Sequence, residues 1–152
     1  MRIAVRQATA ADADALAGLR WRWVTDGHGD AGSDRAAFVE SFRGWVVAHE
    51  STHLPFLATV DGQPVGMAWL MTAERVPGPT QPRRRCGDVQ SVYVVPELRG
   101  SGVGTALLEA VLTEARRLGM EHVTVHSSQR AIPLYQRTGF RYGDDWLHWT
   151  PA

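Results

Sequence analysis

The sequence predicts a single α+β domain with a mixed β-sheet, spanning residues 1–152. A chain of this length fits one domain that is large enough for its own hydrophobic core. Its hydrophobic pattern changes between the two-residue period of strands and the longer period of helices, and no linker or repeat divides it. With 44% hydrophobic and 21% charged residues, the composition is typical of neither a disordered nor a membrane-spanning chain.

The N-terminal half is predicted to contain a strand, two helices and a hairpin. Residues 9–12 form a capping box with Asp in place of Glu, followed by apolar residues at helical spacing. Residues 26–33 have loop composition, and their Asp26 and Asp30, with Asp34 beyond, are expected to be solvated or to cap a helix. An Asp61-Gly62 pair favours a hairpin. The predicted strands are residues 3–8, 54–60 and 65–73, and the second helix begins near residue 34.

The C-terminal half continues with alternating strands and helices. A proline-rich stretch, residues 76–82, excludes regular structure because proline removes backbone donors. Residues 102–118 carry one apolar stripe and end at Gly119, as expected for an amphipathic helix with a glycine after its last turn. The further predictions are strands at 89–95 and 122–126, a short helix at 131–138 and a closing hairpin over 140–150.

A glycine-rich turn, Arg99 to Gly104, stands between a predicted strand and the long helix. The free N–H groups of a helix N-terminus favour an anion, and glycine lets the backbone approach it closely. A Walker A loop is excluded because all 16 basic residues are arginine and the motif needs lysine. A dinucleotide-binding turn is excluded too, since the glycine spacing differs and the next strand ends in His126, not an acidic residue.

Three short segments share their spacing with a known enzyme family. The turn has the pattern Arg-x-x-Gly-x-Gly, residues 131–140 read Ala-Ile-Pro-Leu-Tyr-Gln-Arg-Thr-Gly-Phe, and residues 61–66 read Asp-Gly-Gln-Pro-Val-Gly. Together they resemble the GNAT superfamily of N-acetyltransferases. The resemblance implies a three-layer fold with about four helices and a mixed sheet of about seven strands. The sheet is expected to splay between its fourth strand, residues 89–95, and its fifth, residues 122–126.

The resemblance also implies that acetyl-CoA is the cosubstrate and binds in this splay. No metal is expected, since His49 and His53 have neither a cysteine pair nor a third ligand beside them. Its pyrophosphate is expected on the N–H groups of the glycine-rich turn, and its pantetheine arm on the backbone of Val92 and Val94 as an added strand. Ser128 stands where the family often has Asn, which puts that contact with the arm in doubt. The expected binding residues are Val92, Val94, Arg99, Gly100, Ser101, Gly102, Val103, Gly104, Thr105 and Ser128.

The implied reaction is direct attack of an amine on the thioester, without a covalent enzyme intermediate. The Val94 N–H is expected to stabilise the oxyanion, and Tyr135 to act as general acid toward the leaving thiolate. Tyr135 as a core aromatic is the alternative. Asp88 is the candidate general base and His126 the runner-up, and an amine that is already neutral needs no base.

The acceptor is expected to be a primary amine of a small molecule or a peptide-like compound. The alternative is a non-catalytic acyl-CoA-binding sensor or interaction module. Equal numbers of acidic and basic residues argue against a nucleic-acid partner, and no segment predicts a membrane partner. Members of the family are often homodimers. A single cysteine, Cys86, favours the cytoplasm. Tryptophans near the end of the first helix, such as Trp23, are candidate pocket walls.

Overall fold

The structure is a computed structural model that describes residues 1–28 and 34–152. Within these ranges five strands and four α-helices follow the predicted order up to the last helix. The strands are β1 (Ile3–Gln7), β2 (His53–Val60), β3 (Gln63–Arg75), β4 (Arg84–Val94) and β5 (Val123–Val125), and the helices are α1 (Ala13–His28), α2 (Arg35–Ala48), α3 (Val103–Arg117) and α4 (Ile132–Arg137).

The strands form one mixed sheet in the order β1-β2-β3-β4-β5. The first four pair antiparallel with their neighbours, and β5 joins β4 in parallel after the crossover through α3. Val60 pairs with Gln63 across the Asp61-Gly62 connection, so the hairpin predicted between β2 and β3 is confirmed.

The prediction of about seven strands is wrong, because the sheet in the described ranges has five. The two others were expected in the closing hairpin over residues 140–150, a stretch that contains no strand. Alternating apolar residues favour a strand only where one face becomes buried. Here Leu147 is 94% exposed and Trp149 is 84% exposed. Trp146 packs against His122 with ring centroids 4.7 Å apart, outside the sheet pairing.

Helices cover both faces of the sheet, as a three-layer fold requires. On β3, Trp69 packs against Phe42 and Trp45 of α2, with ring centroids 6.0 and 5.8 Å apart. Three residues earlier, a Cβ on Gly66 would stand 3.1 Å from Leu107 of α3. Successive side chains of a strand point to opposite faces, so α2 and α3 lie on opposite sides of the sheet.

The hydrophobic core is centred on the face between α3 and the sheet. Val103, Leu107 and Val111 recur at helical spacing and are fully buried, as the apolar stripe predicted. None of the helices in the described ranges is both long and apolar enough to cross a membrane. The largest fully buried side chains are Leu16, Met67, Leu70, Val103, Leu107, Leu108 and Val111.

Gly66, near the start of β3, leaves no room for a side chain. A Cβ there would lie 2.9 Å from the carbonyl oxygen of Tyr93 on β4. Because that oxygen belongs to the backbone of a paired strand, it has little freedom to move. We expect Gly66→Ala to lower the free energy of unfolding by about 1–3 kcal/mol, measured by urea titration of tryptophan fluorescence.

Gly44→Ala is the matched control, on the exposed side of α2. No atom lies within 4 Å of the position that its Cβ would take. Alanine favours a helix interior over glycine, so this change should raise the free energy of unfolding by up to about 1 kcal/mol. A Gly66→Ala change that leaves the free energy of unfolding unchanged, or raises it as Gly44→Ala does, would contradict the close approach at Gly66.

Candidate active site

A β-bulge disturbs the pairing of β4 with β3. Two residues of β4, Ser91 and Val92, stand opposite the single Ala68 of β3. Such an extra residue bends the strand and increases its twist. Ser91 has a φ of +52°, in the left-handed region that residues other than glycine rarely adopt. The sequence pattern gives no sign of this bulge.

Beyond the bulge, β4 is paired on one side only among the described residues. β5 pairs with β4 as far as Val89–Val125, whereas β4 continues to Val94. The N–H of Val95 donates to the carbonyl of Val65 on β3 at 2.9 Å. Backbone polar groups alternate sides along a strand, so those of Val94 point away from β3. A strand edge is therefore open where the family resemblance implied that the two strands diverge.

The glycine-rich turn brings the N-terminus of α3 beside this edge. Gly100 and Gly102 have φ values of +78° and +95°, which glycine adopts at little steric cost. Gly102 is the N-cap of α3 and has no side chain to accept hydrogen bonds from the first helical N–H groups. The hydroxyl of Ser101 donates back to the carbonyl of Leu98. The first N–H groups of α3 are therefore available to an anion.

The strand edge, the turn and α4 surround a cleft of about 730 Å³. This volume is in the range of small-molecule sites. Most of the predicted site residues meet here. Those that line the cleft are Val92, Val94, Arg99, Gly100, Gly102, Gly104, Thr105, Ser128 and Tyr135.

Two predicted binding residues, Ser101 and Val103, do not line the cleft. The Ser101 side chain is engaged with Leu98, and the Val103 side chain is buried in the core with 1% of its surface exposed. Ser101 lies in the turn and Val103 is the first residue of α3. Their contribution to an anion site is therefore limited to backbone N–H groups.

The candidate bases also lie outside the lining. Asp88 is on β4 before the bulge, where its carboxylate accepts hydrogen bonds from Thr124 Oγ1 at 2.7 Å and Gln90 Nε2 at 3.1 Å. Val94 lies six positions after Asp88 along β4, which corresponds to about 20 Å of extended chain. His126 is exposed just after β5. Neither group therefore lines the cleft that Tyr135 lines.

Tyr135 faces the cleft from α4. Only 7% of its surface is exposed, and its ring meets the edge of Phe140 with centroids 5.4 Å apart. Burial raises the pKa of the phenol above its ordinary value. The hydroxyl is therefore protonated at neutral pH, as a proton donor must be.

A second tyrosine, which the sequence analysis missed, forms another wall. Tyr93 is stacked on Trp23 of α1, with ring centroids 5.7 Å apart and an angle of 16° between the planes. Its hydroxyl donates to Asp26 Oδ2 at 2.7 Å. Burial, together with this carboxylate, raises the pKa of Tyr93 to about 12. Trp23 was expected as a pocket wall, but no local pattern indicates its partner.

An arginine connects this wall to the turn before α3. Arg22 Nε donates to Asp26 Oδ2 at 3.3 Å, and its terminal nitrogen donates to both carboxylate oxygens of Glu97 at 2.9 and 2.7 Å. Glu97 belongs to the 3₁₀ turn that follows β4.

The first residues of the loop predicted over residues 26–33 are helical. Asp26 is part of α1, which continues to His28, and Asp30 lies outside the described residues.

Three arginines, Arg99, Arg130 and Arg137, give the cleft a positive lining. Arg99 Nε donates to the carbonyl of Val94 at 3.1 Å, and its guanidinium lies 5.8 Å from the ring centroid of Tyr93. Guanidinium groups suit phosphate in charge and geometry. The open strand edge, the helix N-terminus and the arginines therefore fit an elongated ligand that carries phosphates.

The model of the acetyltransferase (GNAT) family matches residues 14–140, most of the chain. The chain belongs to the GNAT family. The resemblance seen in the three sequence segments is thereby confirmed.

This GNAT chain covers only part of its curated relatives. A glucosamine 6-phosphate N-acetyltransferase of Trypanosoma brucei brucei is 36% identical over 80 residues, which cover 53% of this chain and 52% of that protein. A mycothiol acetyltransferase of Salinispora tropica is 34% identical over 138 residues, which cover 86% of this chain and 41% of that protein. The chain therefore spans about half of one relative and less than half of the other.

A solved structure with the same fold is described as a "predicted acetyltransferase with acetyl-CoA" of Clostridium acetobutylicum. Its TM-score is 0.75 at 22% identity, and the match covers 98% of this chain and 96% of that one. At this identity, the likeness establishes a shared GNAT fold.

Tyr93→Phe removes the hydroxyl that donates to Asp26, and we expect it to lower the free energy of unfolding by about 1 kcal/mol at neutral pH. The pKa of Tyr93 is raised from 10.0 to about 12, so the native phenol holds its proton more tightly than the unfolded one. Its stabilising contribution is complete below pH 10 and is lost as the pH rises through 12.

Urea titrations at several pH values measure this effect. The difference between the parent protein and Tyr93→Phe should stay constant up to about pH 10 and shrink above it. Tyr142→Phe, at a residue that is 76% exposed, is the control and should change little. A difference between parent and Tyr93→Phe that grows above pH 10 would show that the raised pKa is wrong.

Proposed function

We propose that this chain transfers the acetyl group of acetyl-CoA to a primary amine of a small molecule or a peptide-like acceptor. The observation that carries the proposal is one cleft that contains an open strand edge, a helix N-terminus and the phenol of Tyr135. These are an anchor for an extended arm, an anchor for phosphate and a proton donor. Family membership supports the same reaction.

The residues of the cleft fit coenzyme A. The N–H groups between Arg99 and Gly104 and the start of α3 would hold its pyrophosphate, and Arg130 and Arg137 add positive charge to the same cleft. The amides of its pantetheine arm would pair with the open edge at Val92 and Val94, as a peptide does when it extends a sheet. Thr105 and Ser128 line the cleft with hydroxyl groups.

The Val94 N–H is the proposed oxyanion donor. Attack by the amine forms a C–N bond and places negative charge on the former carbonyl oxygen of the thioester. A backbone N–H on a paired strand is fixed in position before the reaction, which is the condition for effective stabilisation. Removal of one such donor in other enzymes typically costs about 2.7–4 kcal/mol of transition-state stabilisation.

Tyr135 is the proposed general acid. When the C–S bond breaks, the departing thiolate takes a proton, and the buried phenol of Tyr135 supplies it. The raised pKa keeps that phenol protonated until the thiolate develops. The acceptor nitrogen loses two protons in all: one leaves its ammonium form before the attack, and the other, lost once the C–N bond has formed, reprotonates the phenolate of Tyr135.

The ammonium proton must leave before the amine can attack. Asp88 is the candidate from the sequence, but its carboxylate is held by Thr124 and Gln90 outside the cleft. We propose that Asp88 acts only through bridging water. An acceptor whose amine is neutral at the working pH reacts without it.

The names of the relatives indicate which acceptors to test first. One relative is named for glucosamine 6-phosphate, an amino sugar that carries a phosphate, and the other for mycothiol. We propose amino sugars and their phosphates as the first acceptor class, and short peptides as the second.

Tyr135→Phe should lower kcat by about a hundredfold or more, because it removes the proton donor but keeps the ring in its packing. The KM for acetyl-CoA should change far less, since the hydroxyl is not among the anchors of the pyrophosphate or the arm. A thiol-release assay over the acceptor panel measures both constants.

Tyr142→Phe is the matched control, because this tyrosine is exposed and outside the cleft lining. Unchanged kcat in Tyr135→Phe would show that another group protonates the thiolate. Tight binding of CoA without thiol release from any acceptor would instead favour the non-catalytic binding module.

A further inference from the structure

The carbonyl of Val94 already has a hydrogen-bond donor within the protein. Arg99 Nε donates to it at 3.1 Å, from the turn that leads into α3. The same carbonyl points to the open edge of β4, because the next residue, Val95, bonds in the opposite direction to β3. A ligand arm that pairs with β4 therefore competes with Arg99 for the carbonyl of Val94.

The surroundings of Arg99 give it few other partners. Glu97, two residues away, is engaged by the two hydrogen bonds from Arg22. Among the residues that the structure describes, Arg99 forms no salt bridge. Its guanidinium lies over the edge of the cleft near the ring of Tyr93, at 5.8 Å from the centroid. If it leaves Val94, its next partner must be water or the ligand itself.

We propose that Arg99 determines which acyl-carrying ligand binds. It leaves the carbonyl of Val94, on the open edge of β4, free for the arm of the ligand only when the ligand also carries a diphosphate. The inference rests on the proposed function, since it assumes that the pantetheine arm pairs with Val94. A diphosphate beside the glycine-rich turn offers Arg99 a charge-assisted hydrogen bond, which is stronger than the bond to a neutral carbonyl. Arg99 then releases Val94 to the arm.

A ligand that lacks the diphosphate offers Arg99 no new hydrogen-bond partner in exchange for the carbonyl of Val94. Pantetheine carries the same amides as coenzyme A but no phosphate, so its arm must displace Arg99 from Val94 without compensation. Arg99 therefore favours coenzyme A and disfavours pantetheine. This differs from a simple phosphate anchor, which would assist coenzyme A and have no effect on pantetheine.

The substitution that tests the proposal is Arg99→Met, which removes every donor of the side chain and keeps much of its length. Arg99 is exposed, so the change should not disturb the core. Arg130→Met is the matched control, because Arg130 lines the same cleft but is not bonded to Val94. The probes are coenzyme A and pantetheine, with binding measured by calorimetry and pantetheine also titrated as a competitor of bound coenzyme A.

Arg99→Met should weaken binding of coenzyme A by about tenfold or more, through loss of the charge-assisted contact. It should tighten binding of pantetheine by about three- to tenfold, through release of the Val94 carbonyl. Arg130→Met should weaken coenzyme A and leave pantetheine unchanged. The opposite signs for the two ligands are the signature of the exchange.

Three results would overturn the proposal. Weaker binding of both ligands to Arg99→Met would mean that the bond to Val94 is a fixed part of the turn. Unchanged pantetheine binding to Arg99→Met, or failure of pantetheine to displace coenzyme A from that variant, would mean that Arg99 is only a phosphate anchor. Failure of the parent protein to bind coenzyme A at all would instead reject the proposed function.

Discussion

Strand β4 is hydrogen-bonded on both sides as far as Val89, and beyond it on one side only within the described part of the chain. An unpaired strand edge is costly unless its N–H and C=O groups find partners. The bulge at Ser91 and Val92 bends β4 just where β5 ends, so the two strands are not hydrogen-bonded further along. The candidate site follows from this constraint, because the edge supplies the groups that an extended ligand would bind. The bond from Arg99 to Val94 satisfies one of them within the protein.

The remaining walls of the cleft depend on how α1 is attached to β4. Exposed ion pairs such as Arg22–Glu97 contribute little stability by themselves, so the stack of Trp23 on Tyr93 and the hydrogen bond of the Tyr93 hydroxyl to Asp26 are the stronger of these contacts. The hydroxyl has a partner, and the described residues contain no buried side-chain polar atom without one. These contacts determine the shape of the cleft. The stack of Trp23 on Tyr93 forms an aromatic wall of the cleft that α4 also lines, and the Arg22–Glu97 pair links α1 to the turn that precedes α3.

Features that depend on a few neighbouring residues could be predicted from the sequence. The turn from Arg99 to Gly104 is one such feature. The conformations open to its glycines and the free N–H groups at the start of the helix are set by the residues of the turn themselves. The bulge could not be predicted, because Ser91 lies in an uninterrupted strand-forming run and its backbone conformation is imposed by pairing with β3. The contact of Tyr93 with Trp23 depends on helix packing across the sheet. The prediction of a hairpin over residues 140–150 failed for a related reason. Alternating apolar side chains do not reveal whether another part of the protein packs against them and buries them.

The central claim is that coenzyme A binds along the open edge of β4 and at the N-terminus of α3. A titration of ¹⁵N-labelled protein with coenzyme A, followed by amide chemical shifts, tests it most directly. The account predicts the largest changes at Val92, Val94 and residues 100–105. A separate, smaller groove of about 480 Å³, lined by Glu114 and Arg117 at the other end of α3, serves as an internal control. Shifts concentrated there, or no shifts at all, would contradict the account.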